Sequence, residues 1–119
     1  MKIAVSSKGT QLTSEVDPRF GRAAYILIID PDTREFEVLN NSVNANAFKG
    51  AGIQAATMIS DKGAKVLMTG YCGPKAFQVL EAAGIKVVND VNGTVSDAIM
   101  RFSTGNVEYS TDANAEAHW

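Results

Sequence analysis

The chain has 119 residues, an apolar fraction of 45% and a charged fraction of 20%, which describes one folded domain and excludes a disordered or fibrous chain. Thirteen acidic against eleven basic residues give a formal charge of -2, so no global field draws the molecule to nucleic acid or to an anionic membrane, and any anion has to be caught by a local patch. The single cysteine, Cys72, excludes an internal disulfide framework and an all-cysteine metal site within one chain.

The opening MKIAVSS has too few apolar residues for a secretory signal, and no run is long enough to cross a bilayer, so a cytoplasmic protein is expected. Residues 2–6 (KIAVS) and 25–30 (YILIID) are short, apolar and partly β-branched, and both predict strands. Asp30-Pro31-Asp32 closes the second as a turn, and residues 35–39 (EFEVL) alternate charged and apolar, which predicts a half-exposed antiparallel partner. An asparagine- and alanine-rich loop over 40–48 leads to Gly50-Ala51-Gly52 and a first helix with Ile53, Ala56 and Ile59 on its inner face, stopped by Gly63. Residues 65–69 (KVLMT) read as a buried central strand. A second helix starts near Pro74, turns Phe77, Leu80 and Ala83 inward and ends at Gly84. Residues 85–88 form a further strand, and Thr94 with Asp97 three positions on predicts a capped third helix carrying Val95, Ala98, Ile99 and Phe102.

The order β, β, β, α, β, α, β, α predicts a three-layer α/β domain with a largely parallel sheet. After Gly105 the periodicity stops, which suggests a domain over residues 1–104 and a loosely held, irregular tail over 105–119.

Ligands of open α/β sheets sit beyond the carboxyl ends of the parallel strands. The loops there are 6–22, 70–74 and 89–93; the first holds Lys8 and the cluster DPRFGRA, with Arg19, Phe20, Gly21 and Arg22. The loop before the first helix adds Asn46, Lys49, Gly50 and Gly52. Guanidinium groups and bare helix N-termini together cradle a compact anion; the plainer alternative is that the arginines pair with Asp17, Glu15 or other carboxylates and Phe20 enters the core. Residues 50–55 match G-x-G-x-x-A, but no strand directly precedes them and no acidic residue follows about 20 positions later, which argues against a dinucleotide site. Close backbone approach is the better reason for these glycines.

Cys72-Gly73-Pro74-Lys75 lacks the second cysteine of a thioredoxin motif. A helix N-terminus lowers a thiol pKa, so Cys72 is either a metal-binding thiolate at the mouth of the cleft, beside Tyr71, or a buried inert thiol. Asp30, Asp32, Glu35 and Glu37 share one hairpin without a histidine, and His118, next to Trp119, is the one histidine. Neither a two-metal site nor a Ser/His/Asp set can be assembled, so hydrolase chemistry is not expected.

The stretches MKIAVSS, VDPRFGRAAYILIID, KGAGIQAATMISDKGAKVLMTG, GPKAFQVLEAAGIKVV and GTVSDAI together resemble the nitrogenase iron–molybdenum cofactor biosynthesis and accessory family over about residues 1 to 103. In character the chain is similar to that family's orange proteins of sulfate-reducing bacteria, which carry a mixed molybdenum–copper sulfide cluster. The resemblance implies a ribonuclease H-like fold, with three main helices on a five-stranded mixed sheet whose second strand is antiparallel. It also implies non-enzymatic binding, storage or delivery of a preassembled anionic molybdenum-containing metal-sulfide cluster, either molybdenum–copper or of the iron–molybdenum cofactor type. The partners would be that inorganic cluster and a protein donor or acceptor of it.

Some relatives use a histidine in the loop before the first helix; here NANAFKG has none. Electrostatic and van der Waals capture is therefore expected, at Lys8, Arg19, Phe20, Gly21, Arg22, Asn46, Lys49, Gly50, Gly52, Tyr71, Cys72, Gly73 and Pro74, with Cys72 as the candidate metal ligand. The rival reading is a phosphate- or nucleotide-binding regulatory module built on the same glycines and arginines.

Overall fold

A computed structural model describes residues 1–113; His118 and Trp119 lie outside the described residues. The apolar runs become strands β1 (Lys2–Ser7), β2 (Tyr25–Ile29), β3 (Phe36–Asn40), β4 (Ala64–Met68) and β5 (Lys86–Val88), in the sheet order β3-β2-β1-β4-β5. β1 pairs antiparallel with β2 and β2 with β3, whereas β1–β4 and β4–β5 are parallel, so β2 alone runs against the rest. This is the five-stranded mixed sheet of the ribonuclease H-like expectation.

Strand alternation sorts the apolar side chains into two cores. Ala4, Ile26, Ile28, Leu67 and Val87 pack under helices α2 (Ala51–Asp61) and α3 (Pro74–Ala82). Ile3, Val5, Leu27, Ile29, Val66, Met68 and Val88 face helix α4 (Val95–Ser103). The start of α4 is held by the expected reciprocal cap: Asp97 N donates to Thr94 Oγ1 at 3.1 Å, and Thr94 N donates to Asp97 Oδ2 at 2.9 Å. None of the helices is long and apolar enough to cross a membrane, among the described residues.

Several local expectations are corrected. Residues 42–45 form a short helix, α1 (Ser42–Ala45), inside the segment read as a loop. The buried stripe of α2 is Ala51, Ala55, Ala56 and Ile59, and Ile53 is only half-buried. Ala83 is exposed, because α3 ends at Ala82 and Ala83 is its C-cap. On β3, Phe36 and Val38 oppose Ile29 and Leu27 on the α4 face, each 37% exposed, while Glu37 pairs with Lys62 at 2.8 Å.

Residues 106–113 are irregular but docked. Ser110 N donates to Val87 O at 2.7 Å, Asn89 Nδ2 donates to Ser110 Oγ at 3.0 Å, and Lys86 Nζ lies 5.0 Å from the Tyr109 ring centre. Val107 packs on one core and Ala113 on the other. The segment covers the edge of β5, which would otherwise present unpaired backbone groups.

Register decides where a site can form. Ser7 at the end of β1 faces Tyr25 at the start of β2, and Tyr25 faces Asn40 at the end of β3. The connections 8–24, 41–50 and 69–73 therefore emerge at one end of the sheet.

Candidate functional site

At that end, the loop after β1 is stitched to the loop after β4. Ser6 Oγ donates to Asp17 O at 2.6 Å and lies 2.7 Å from Thr69 Oγ1. Tyr71 N donates to Pro18 O at 2.6 Å and Phe20 N to Tyr71 O at 3.3 Å. A Cβ on Gly70 would sit 2.7 Å from Pro18 Cα, so this close approach requires glycine. Phe20, 2% exposed, is buried in the core under α2 and α3 and anchors the loop.

The next residue rests on the first turn of α2: a Cβ on Gly21 would come within 2.6 Å of Gly52 N. Gly52 in turn lets α2 meet α3, since its Cβ would lie 2.9 Å from that of Ala76. Of the two glycines of the G-x-G stretch, Gly52 thus serves helix packing, whereas Gly50, with a φ of 80°, is the left-handed N-cap of α2.

The two helices consequently begin side by side. Neither Gly50 nor Gly73 offers a side-chain cap, and neither first turn contains an acidic residue. Among the described residues no side chain caps either first turn, so its N–H groups and the positive dipole end of each helix can serve an anion. Beside them opens a cleft of about 500 Å³, lined by Arg22, Phe48, Lys49, Gly50, Ala51, Gly52, Ile53, Gly73, Lys75 and Ala76. Among the described residues, that lining holds three cationic side chains and no carboxylate, with apolar surface from Phe48, Ile53 and the alanines.

The chain as a whole matches known proteins. A family model described as dinitrogenase iron-molybdenum cofactor matches residues 1–105. The chain belongs to the dinitrogenase iron-molybdenum cofactor family. The apo form of the orange protein from Desulfovibrio gigas matches it with a TM-score of 0.93 at 46% identity, covering 96% of each chain. A NifB-like protein from Thermotoga gives a TM-score of 0.82 at 37% identity, covering 96% of this chain and 97% of its own. An uncharacterized protein of Methanocaldococcus jannaschii is 28% identical over 111 residues, 91% of this chain and 90% of its own.

Within this member of the dinitrogenase iron-molybdenum cofactor family, Arg22, Lys49, Gly50, Gly52 and Gly73 of the sequence-derived set line the cleft. Arg22 pairs with no carboxylate among the described residues; its Nη1 donates to Ala45 O at 3.0 Å and Ala47 O at 2.8 Å. Other candidates stand apart. Arg19 has its Nε 3.5 Å from Asp17 Oδ1, the plainer pairing anticipated for it. Lys8 pairs with Glu15 at 3.5 Å, in a segment whose Leu12 and Ser14 carbonyls accept from the first turn of α4 on the opposite face of the sheet. Asn46 closes α1, its Nδ2 donating to Ser42 O at 2.9 Å. Tyr71 is 43% exposed and half-buried Pro74 opens α3, but neither lines the cleft. Phe20 and Gly21 support it from below.

Of the two readings of Cys72, its burial fits the inert thiol. Its side chain is buried in the core under α2 and α3, with Sγ donating to Gly73 O at 3.7 Å. Burial pushes its pKa from 9.0 up to about 12, so desolvation overrides the nearby helix terminus and the neutral thiol is the form present. In the unfolded chain the thiol ionises near pH 9, and in the folded chain it does not. Its contribution to stability is therefore complete below pH 9 and declines as the pH rises toward 12. We expect a Cys72→Ala variant to show a shallower alkaline loss of stability in urea titrations at pH 8 and 10.5. Native Cys72 should resist a thiol reagent at pH 8 until the protein unfolds; rapid native labelling would contradict its burial.

Sequence reasoning missed Phe48, Ile53, Lys75 and Asn41. Phe48 is 96% exposed, an aromatic in a polar loop, which is itself a signal. Asn41 is fully buried, and its Nδ2 donates to Gly21 O at 3.2 Å and Ala23 O at 2.8 Å, fixing where the 41–50 segment leaves the sheet.

Proposed function

We propose that the protein binds, stores or delivers a preassembled anionic molybdenum-containing metal-sulfide cluster in this cleft, without turnover, in the cytoplasm. The observation that carries the reading is the pairing of two helix N-termini without a side-chain cap with Arg22, Lys49 and Lys75 in one cavity that has no carboxylate among its described lining residues. Such a cavity stabilises several negative charges at once. Its apolar wall favours a guest whose surface is weakly hydrated sulfur over a strongly hydrated oxyanion, because desolvating the latter costs more. Family membership supports a cofactor-handling role, and the orange-protein likeness favours a molybdenum–copper sulfide as the cargo. A protein donor or acceptor completes the reading, since a carrier must exchange its load.

Anaerobic incubation with tetrathiomolybdate and copper(I), followed by desalting, should leave a protein with a visible charge-transfer band. A colourless protein, with all metal in the small-molecule fraction and thermal stabilisation by a nucleotide, would transfer the cleft to the phosphate-binding alternative.

A further inference from the structure

Phe48 and Lys49 reach the cleft from a segment with little to hold it. No residue of 42–50 is buried, and Val43 is 83% exposed. The start of the segment is tied down by Asn41 and by Asn44 Nδ2 donating to Asn41 Oδ1 at 2.9 Å. Beyond Asn44 and before the Gly50 turn, the hydrogen bonds that reach outside 42–50, among the described residues, are Ala45 N donating to Asn41 O at 2.8 Å, within the turn of α1, and the two from Arg22 Nη1 to Ala45 O and Ala47 O, which alone tie the segment to the loop after β1. One nitrogen makes both, so among the described residues Nε and Nη2 of the same planar group remain for the cleft that Arg22 lines.

Building on the anion-cradle reading, we infer that Arg22 is a positioning residue that couples cargo in the cleft to the order of the 45–49 segment. An anion on the free edge of the guanidinium fixes its plane and strengthens the bonds its other edge makes, since linked charge-assisted hydrogen bonds polarise one another. The segment then holds Phe48 and Lys49 against the cargo. By reciprocity, an ordered segment tightens cargo binding by the same factor. Loaded and empty protein thus present different 45–49 surfaces, a difference a cargo-accepting protein can read.

Hydrogen exchange of the full chain, with and without tetrathiomolybdate plus copper(I), tests this alongside the visible colour. In the wild type, cargo should slow exchange at the amides of Ala45, Asn46 and Ala47 about tenfold, the scale of one charge-assisted hydrogen bond. Arg22→Lys keeps the charge and loses the fork. Its empty form should exchange faster at these amides than empty wild type, and it should take up colour at lower affinity without slowing the exchange. A coloured wild type whose exchange at 45–47 matches the empty protein overturns the coupling and leaves the cleft reading standing. Equal exchange in empty wild type and empty Arg22→Lys also overturns it, and a colourless wild type overturns both.

Discussion

Replacing Gly21 with alanine is expected to destabilise the protein by about 3 kcal/mol, the upper range for overpacking. For a domain of this size that lowers the melting temperature by about 10 °C or more. The added Cβ would lie 2.6 Å from Gly52 N, 2.7 Å from Gly52 Cα and 2.9 Å from Ala51 C, all of them backbone atoms of the first turn of α2. A side-chain neighbour could rotate away; a helix backbone has to move as a unit. The φ of Gly21 is outside the left-handed region, so lost space is the whole cost. The displacement falls on the N-terminus of α2, so the variant should also retain less cargo than its lost stability alone explains. Gly63→Ala is the useful contrast. Its φ of 81° gives an alanine backbone strain of about 1 kcal/mol, yet nothing lies within 4 Å of the new Cβ and the cleft is remote. Thermal unfolding and metal retention of both variants check this; a Gly21→Ala protein as stable as Gly63→Ala would mean that the loop and α2 are not in close contact.

What was legible in the sequence was what short-range physics determines. The β-branched runs, the Pro31 turn, the Gly63 and Gly84 stops and the Thr94–Asp97 cap each depend on residues a few positions apart, and each appears within a residue or two of its expected place. Choices that depend on a distant neighbour were not legible. Arg19 and Arg22 look equivalent in DPRFGRA. They diverge because Pro18 and Phe20 zip to Tyr71, leaving Arg19 beside Asp17, whereas Gly21 turns the chain onto α2 and delivers Arg22 to the cleft. The same distance effect buries Cys72 and rotates Ile53 out of the core: α2 is pressed against α3 at Gly52, which turns Ala51, Ala55 and Ala56 inward and Ile53 toward the opening. Lys75 followed Pro74 in a motif read for its cysteine, and its value comes from the other helix beginning next to it.

Reversing both cleft lysines, Lys49→Glu with Lys75→Glu, should abolish cargo retention, an effect of at least a hundredfold. An ion pair at about 5 Å is worth about 3 kcal/mol at an effective dielectric of 20. Exposure and salt reduce this, so we assign each lysine about tenfold in affinity when lost and more when its sign is inverted. The alternative cause of such a loss is general repulsion of an anion by a more acidic protein. Lys2→Glu with Lys65→Glu separates the two. It carries the same formal net charge, yet Lys2 opens β1 and Lys65 lies near the start of β4, at the end of the sheet away from the cleft. Across that distance a Debye length of about 10 Å at 0.1 M salt removes most of the interaction. The prediction is full colour in Lys2→Glu/Lys65→Glu and none in Lys49→Glu/Lys75→Glu at 0.1 M salt, with both proteins folded by circular dichroism. Equal loss in the two variants would mean that the protein's overall charge, and not the local convergence of helix ends and cations, governs the guest.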